Sequence, residues 1–198
     1  YSATTSPQGG TTVNAGTLLV TGTTSSVTVN NSGILAGNGT TGDVVINSGG
    51  VIAPGNSPGT LTTGNMTWNG GGIYNWELSS ANGTDGTDWD LISSTGNLPN
   101  GANSTNRFTI AASTTNASGF DPNERFKSWT IANFAGGISG FSSDAFTINA
   151  TGFDNLPASY LFGVSSNGTA ISCTYSAIAT WIAGTGNCTD AGNWGQNF

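Results

Sequence analysis

Apolar and polar residues alternate in short runs along the first third of the chain, and each run ends on an asparagine followed closely by glycine. Val27 and Val29 precede Asn30, Val44 and Ile46 precede Asn47, and Met66 and Trp68 precede Asn69. Such alternation reads as a strand with one buried face. Asn and Gly tolerate the backbone angles of a tight turn, so a corner is expected after every strand. The segment Val27–Ala36 aligns without a gap on Val44–Ala53 at a spacing of 17 residues. Thr11–Leu19 fits the same unit with one residue deleted, and Met66–Tyr74 fits it after an insertion. Hairpins would need complementarity within a unit. Identity between units at a nearly fixed period is what stacked coils require. The pattern therefore predicts a β-solenoid with Asn14, Asn30, Asn47 and Asn69 at equivalent corners, Asn30 and Asn47 forming an amide ladder.

Beyond Leu78 the repeat fades. Alternations persist at Phe108/Ile110, Trp129/Ile131, Phe146/Ile148, Tyr160/Phe162/Val164 and Ile171/Cys173/Tyr175, separated by Gly, Asn, Ser and Pro. No stretch keeps a helical period. These runs suggest either an antiparallel sandwich or a widened end to the solenoid, closing an otherwise open sheet edge. The expected fold is all-β: an N-terminal extension over 1–8, a short parallel β-helix over 9–78, an antiparallel sandwich-like module over 79–176, and a Trp/Gly-rich tail over 177–198.

Composition narrows the function. Only 7% of residues are charged, and the net charge is −7 from 10 acids and 3 bases. That excludes a phosphate-backbone binder, so no nucleic-acid partner is expected. No apolar run approaches the length of about 20 residues that spans a bilayer as a helix, so membrane insertion is not expected either. The 6 Trp and 9 Phe argue for a packed core. The chain begins at Tyr1 and is expected to be a mature or excised segment. Its two cysteines, Cys173 and Cys188, in a chain so poor in Lys, are expected to form a disulfide in an oxidising compartment.

From Gly10 to about Gly96 the chain resembles the autotransporter-associated β-strand repeat, also called the passenger-associated transport repeat. The segment Asn47–Thr62 carries the resemblance, and Gly49–Leu61 reproduces the family's Gly-Gly-apolar-x-x-Pro-Gly-x-Ser-x-Gly-x-Leu block. Tyr74–Leu78, Trp89–Ile92 and Gly96 are similar to the segment that comes after that block in such proteins. Thr180–Trp194 resembles a Trp-rich block where a new unit begins, with Cys188 near the place of a third Trp. The resemblance implies a parallel β-helix on a secreted or surface-displayed bacterial protein, and it implies no catalytic residue.

The candidate chemistry is sparse. Asp85, Asp88 and Asp90 lie within six residues and form a weak calcium candidate, although the calcium-loop spacing and its distal Glu are missing. Glu77 near these acids suggests a carboxylate pair for glycoside cleavage. Without a single His, however, a Ser-His or Cys-His nucleophile is excluded, and no enzymatic activity or cofactor is expected. The expected function is a non-enzymatic extracellular or cell-surface structural protein. Its partners would be identical subunits, joined head to tail through the termini into a filament, sheath or stalk, with Trp181, Trp194 and Phe198 as assembly anchors. The alternative is a surface adhesin or carbohydrate-binding solenoid with glycans as partners.

Overall fold

A computed structural model describes residues 2–3, 9–157 and 159–178. The expected corners appear as tight turns. Gly33 N–H donates to Asn30 O (2.9 Å), Gly50 to Asn47 O (2.9 Å) and Gly72 to Asn69 O (3.0 Å). The third turn position is left-handed, at φ 74° in Gly49 and 80° in Gly71, with Ser32 at 68° in the second coil. The fourth position needs glycine for a different reason. A Cβ at Gly50 would stand 2.5 Å from Val29 O, so the backbones of adjacent coils approach there without room for a side chain.

The chain leads with β1 (Ser2–Ala3) and then winds in coils. The first coil holds β2 (Thr11–Val13) and β3 (Gly16–Val20), the second β4 (Val27–Val29) and β5 (Gly33–Gly37). The third holds β6 (Val44–Ile46), β7 (Val51–Pro54) and β8 (Thr60–Thr63); the fourth β9 (Met66–Asn69), β10 (Ile73–Ser80) and β11 (Leu91–Ser94). The fifth holds β12 (Asn97–Gly101), β13 (Phe108–Ser118) and β14 (Lys127–Phe134). The sixth holds β15 (Gly137–Ser139) and β16 (Phe146–Gly152), and a hairpin of β17 (Tyr160–Ser166) and β18 (Ala170–Ala177) comes next.

Three sheets result. The first runs β1-β3-β5-β7-β10-β13-β16 and the second β2-β4-β6-β9-β12-β15, both parallel throughout. The third runs β8-β11-β14-β18-β17: its first three strands are parallel, and β18 and β17 join antiparallel. Isolated bridges at Thr23, Thr40 and Thr62 extend this third face into the narrow coils. The fold is thus all-β, a short parallel β-helix followed by an antiparallel module. The parallel ladder runs on past Leu78 to Gly152 as a widened solenoid, so the antiparallel module is shorter than the expected 79–176: among the named strands, antiparallel pairing joins only β14, β18 and β17.

Like residues stack in register. Val29 pairs with Ile46, and Ile46 with Trp68, all fully buried. Along the first sheet Leu35, Ile52, Tyr74 and Ile110 form another buried column. Side chains grow along these columns as far as Tyr74 and Trp68, where the coils widen, β10 and β13 being longer than β5. Aromatics fill the wide end: Trp68 stacks on Phe108 with ring centres 4.7 Å apart, and Trp76 packs against Trp129. Their polar tips tie faces together. Tyr74 Oη donates to Ile131 O (3.0 Å), Trp76 Nε1 to Asp90 O (3.1 Å) and Trp129 Nε1 to Ala81 O (3.1 Å).

Candidate functional site

On the outside of the first sheet, alternation points every second residue to solvent and register aligns these residues along the axis. Leu19, Ala36 and Ala53 lie in one row, which Asn75, Ala111 and Asn149 continue. At about 4.8 Å per strand the row is about 24 Å long. Small side chains keep it low, and the loop Pro54–Ser57 rises beside it, leaving a groove of about 610 Å³. Amides and hydroxyls (Asn56, Ser57, Asn75, Asn149, Thr151) share the lining with Glu77, and none of the lining residues is basic.

The wall of this groove is the Pro-Gly-Asn-Ser-Pro-Gly part of the repeat block, and its composition has a physical cause. Gly55 (φ 81°) and Ser57 (φ 68°) are left-handed, and Ser57–Pro58 is cis. The loop closes on itself so tightly that a Cβ at Gly55 would meet Gly59 N at 2.3 Å. Two carboxylates from the next coil hold it. Glu77 accepts hydrogen bonds from Ser57 Oγ and, at 2.9 Å, from Thr115 Oγ1. Asp90 Oδ1 accepts from Gly59 N (2.9 Å) and Oδ2 from Glu77 N (3.0 Å). Burial raises the Asp90 carboxyl to about 7, against these two amides, which pull it down; the nearby Glu77 charge adds to the rise.

The three aspartates of the calcium candidate do not converge. Asp88 Oδ2 accepts from Thr84 N (2.8 Å) within its own turn, whereas Asp90 turns away to clamp Gly59 and Glu77. Among the described residues no three acids, Cys or His come together as a metal site. Ser57 and Gly59, which help to fix the two acids, were visible as the Ser and Gly of the glycine- and proline-rich block, whereas Thr115 carried no signal in the sequence.

The four corner asparagines form a continuous ladder. Asn30 Nδ2 donates to Asn14 Oδ1, Asn47 to Asn30 and Asn69 to Asn47, each at 2.8 Å. It stops where Gly101 stands opposite Asn69 and offers no side chain. Cys173 points inward from β18 and is fully buried, and burial pushes its thiol well above the usual range. Its pairing with Cys188 lies outside the described residues, as do Trp181, Trp194 and Phe198. Lys127 is engaged locally, with Glu124 at 3.7 Å and with Asn82 Oδ1, to which it donates. The chain matches no protein-family model and no curated protein.

Proposed function

We propose that the chain is a non-enzymatic structural module of the extracellular space or bacterial cell surface, a subunit that joins identical subunits head to tail in a filament, sheath or stalk. One observation carries this reading. The first sheet stops on β1 and β16 and the second on β2 and β15, and among the described residues no strand pairs with their outer sides. Both sheets are parallel, so the last coil of one copy and the first coil of the next have the polarity to continue the same ladder. Exposed backbone edges of this kind favour strand addition. A contact between unlike ends need not close and so builds a polymer. The low charge supports the reading, since stacked surfaces of hydroxyls and amides repel little. The commitment of Glu77 and Asp90 to holding a loop supports a role without catalysis. No helix among the described residues is long and apolar enough to cross a membrane.

The test is electron microscopy and sedimentation of the concentrated full chain, with Thr12→Pro as the perturbed edge. Thr11 N–H donates to Ser26 O on the β4 side, so the Thr12 N–H points to the open side and its loss spares the intramolecular ladder. Regular polymers weakened by this change are expected. A chain that stays monomeric, or a variant that assembles unchanged, overturns the reading.

The groove favours a second reading, a glycan-binding module. Its amide and hydroxyl lining suits a neutral polysaccharide lying along the axis, and its acids repel anionic ones. Binding of neutral oligosaccharides that Ala111→Trp abolishes would move this reading ahead.

A further inference from the structure

Lys127 is the only lysine of the chain, and it stands against a side-chain amide with a carboxylate beside it. Its Nζ donates to Oδ1 of Asn82 (2.5 Å) and lies 3.7 Å from Oε1 of Glu124. Backbone contacts hold each of the three. Lys127 opens β14, in register with Tyr175 of β18, and strand alternation puts it on the same side as the buried Trp129. Ala81 N–H donates to Ser118 O (2.8 Å) and Asn82 Nδ2 to Gly119 O (3.0 Å), which fixes the plane of the carboxamide. Gly119 is left-handed at φ 68°, and a Cβ there would stand 2.7 Å from Asn82 Nδ2, so glycine lets the amide dock. Glu124 N–H donates to Asp121 O (3.1 Å) and Glu124 O accepts from Ala177 N (3.1 Å), seating this residue in a turn against β18. Both charged side chains are mostly covered, with 21% of Lys127 and 33% of Glu124 exposed.

We infer that Lys127 and Asn82 join in an intramolecular isopeptide bond that ties the fourth coil covalently to the fifth. An amine held against a carboxamide carbonyl has the geometry of an acyl transfer. Cγ lies one carbonyl bond of about 1.2 Å beyond Oδ1, so Nζ already stands within about 4 Å of it. Attack proceeds from about 3–3.5 Å, a small closing motion away. Glu124 takes one proton from the ammonium, and the electron pair this leaves on Nζ attacks Cγ. A second proton passes from Nζ to Nδ2, which departs as ammonia and takes the first proton back from Glu124. One C–N bond forms and one breaks, ammonium is released, and no redox partner is needed. Asn82 is exposed, which gives the ammonia a way out. The bond spans a sequence separation of 45 residues and locks the excursion after β10 to the start of β14. It lies within one chain and stands apart from the head-to-tail reading.

Mass spectrometry of the aged full chain tests it. The intact mass should be lower by one ammonia, and tandem spectra should show the peptide of Asn82 joined to that of Lys127. A lysine-directed reagent should then find no ε-amine in the denatured chain. Lys127→Arg and Asn82→Ala should keep their full masses and melt about 10 °C lower, for want of the closed loop. Glu124→Gln keeps the shape of the side chain and should slow bond formation about a hundred-fold. Asn82 precedes Gly83, so ammonia can also be lost to a backbone succinimide. That product leaves Lys127 unlinked and survives Lys127→Arg. A free ε-amine in the aged chain, or an ammonia loss that persists in Lys127→Arg, overturns the inference. So does a bond that forms equally fast in Glu124→Gln.

Discussion

The side-chain amide of Asn47 donates to Oδ1 of Asn30 across 2.8 Å, from one coil to the coil before it. Asn47 Oδ1 in turn accepts from Asn69 at 2.8 Å, so this residue closes two links of the ladder. Asn47→Ala removes both and leaves partly buried amide groups without partners. A net loss of about 1–3 kcal/mol is expected at this corner. Asn47→Asp should be no better at neutral pH, because a carboxylate accepts from Asn69 but sets oxygen against oxygen at Asn30. Asn14→Ala, at the exposed end with one link, should cost less. Chemical denaturation of the three variants checks this order.

The corner turn makes a second pair of predictions with opposite signs. Ser32 holds φ 68° where Gly49 and Gly71 hold the same position in later coils. The side chain of Ser32 is exposed, so Ser32→Gly relieves the left-handed strain at little packing cost. A gain of about 1 kcal/mol is expected. Gly50→Ala should do the reverse. Its Cβ would meet Val29 O at 2.5 Å, and a backbone carbonyl fixed in a ladder cannot yield. A loss of about 2–3 kcal/mol is expected, measured as a shift in the denaturation midpoint.

Asp90 should make stability depend on pH in an unusual direction. Its folded carboxyl is raised to about 7 from 3.8, mainly by burial. The folded state therefore holds the proton more tightly than the unfolded chain between those values. Stability from this group is fully present below the unfolded value and is lost as pH rises through about 7. This group's contribution to the melting temperature should fall from about pH 4 to about pH 7 and level off above, and Asp90→Asn should flatten that slope. The Asn variant should also be less stable at pH 5, since its NH2 group would face either Gly59 N–H or Glu77 N–H. A slope unchanged in Asp90→Asn would place the effect elsewhere.

These residues also mark where the sequence was readable. The narrow coils were legible because one short unit recurs with its Asn and Gly in place, so register could be counted off directly. From the fourth coil the spacing grows: Trp68 pairs with Asn100, and Asn69 faces Gly101 instead of another asparagine. Long excursions such as Ser80–Asp90 then hide a period that the backbone still keeps, so β13 and β16 looked like the start of a different module. The acids failed for another reason. Asp85, Asp88 and Asp90 are close along the chain, but a local turn engages Asp88 with Thr84 N–H, and the fold gives Asp90 to a loop 31 residues earlier. Proximity in sequence could not report that pairing, whereas the glycines that permit the loop were visible as part of the repeat block.

The buried tryptophans allow a comparison at nearly constant volume. Trp129 Nε1 donates to Ala81 O at 3.1 Å, fixing β14 beneath the end of β10. Trp68 stacks on Phe108 at 4.7 Å and 10°, and its Nε1 is buried without a partner. Replacing either by Phe removes a similar volume and leaves a similar void. In Trp129→Phe the Ala81 carbonyl also loses its donor, an added cost of about 1–2 kcal/mol. In Trp68→Phe an unpaired buried N–H disappears, which offsets part of the void, and the ring can still stack on Phe108. Trp68→Phe should therefore be the milder change, with the gap between the two variants measuring the Ala81 hydrogen bond. Equal losses in denaturation would mean that packing alone sets the stability of the wide end, and that the polar tips of its aromatics contribute nothing net.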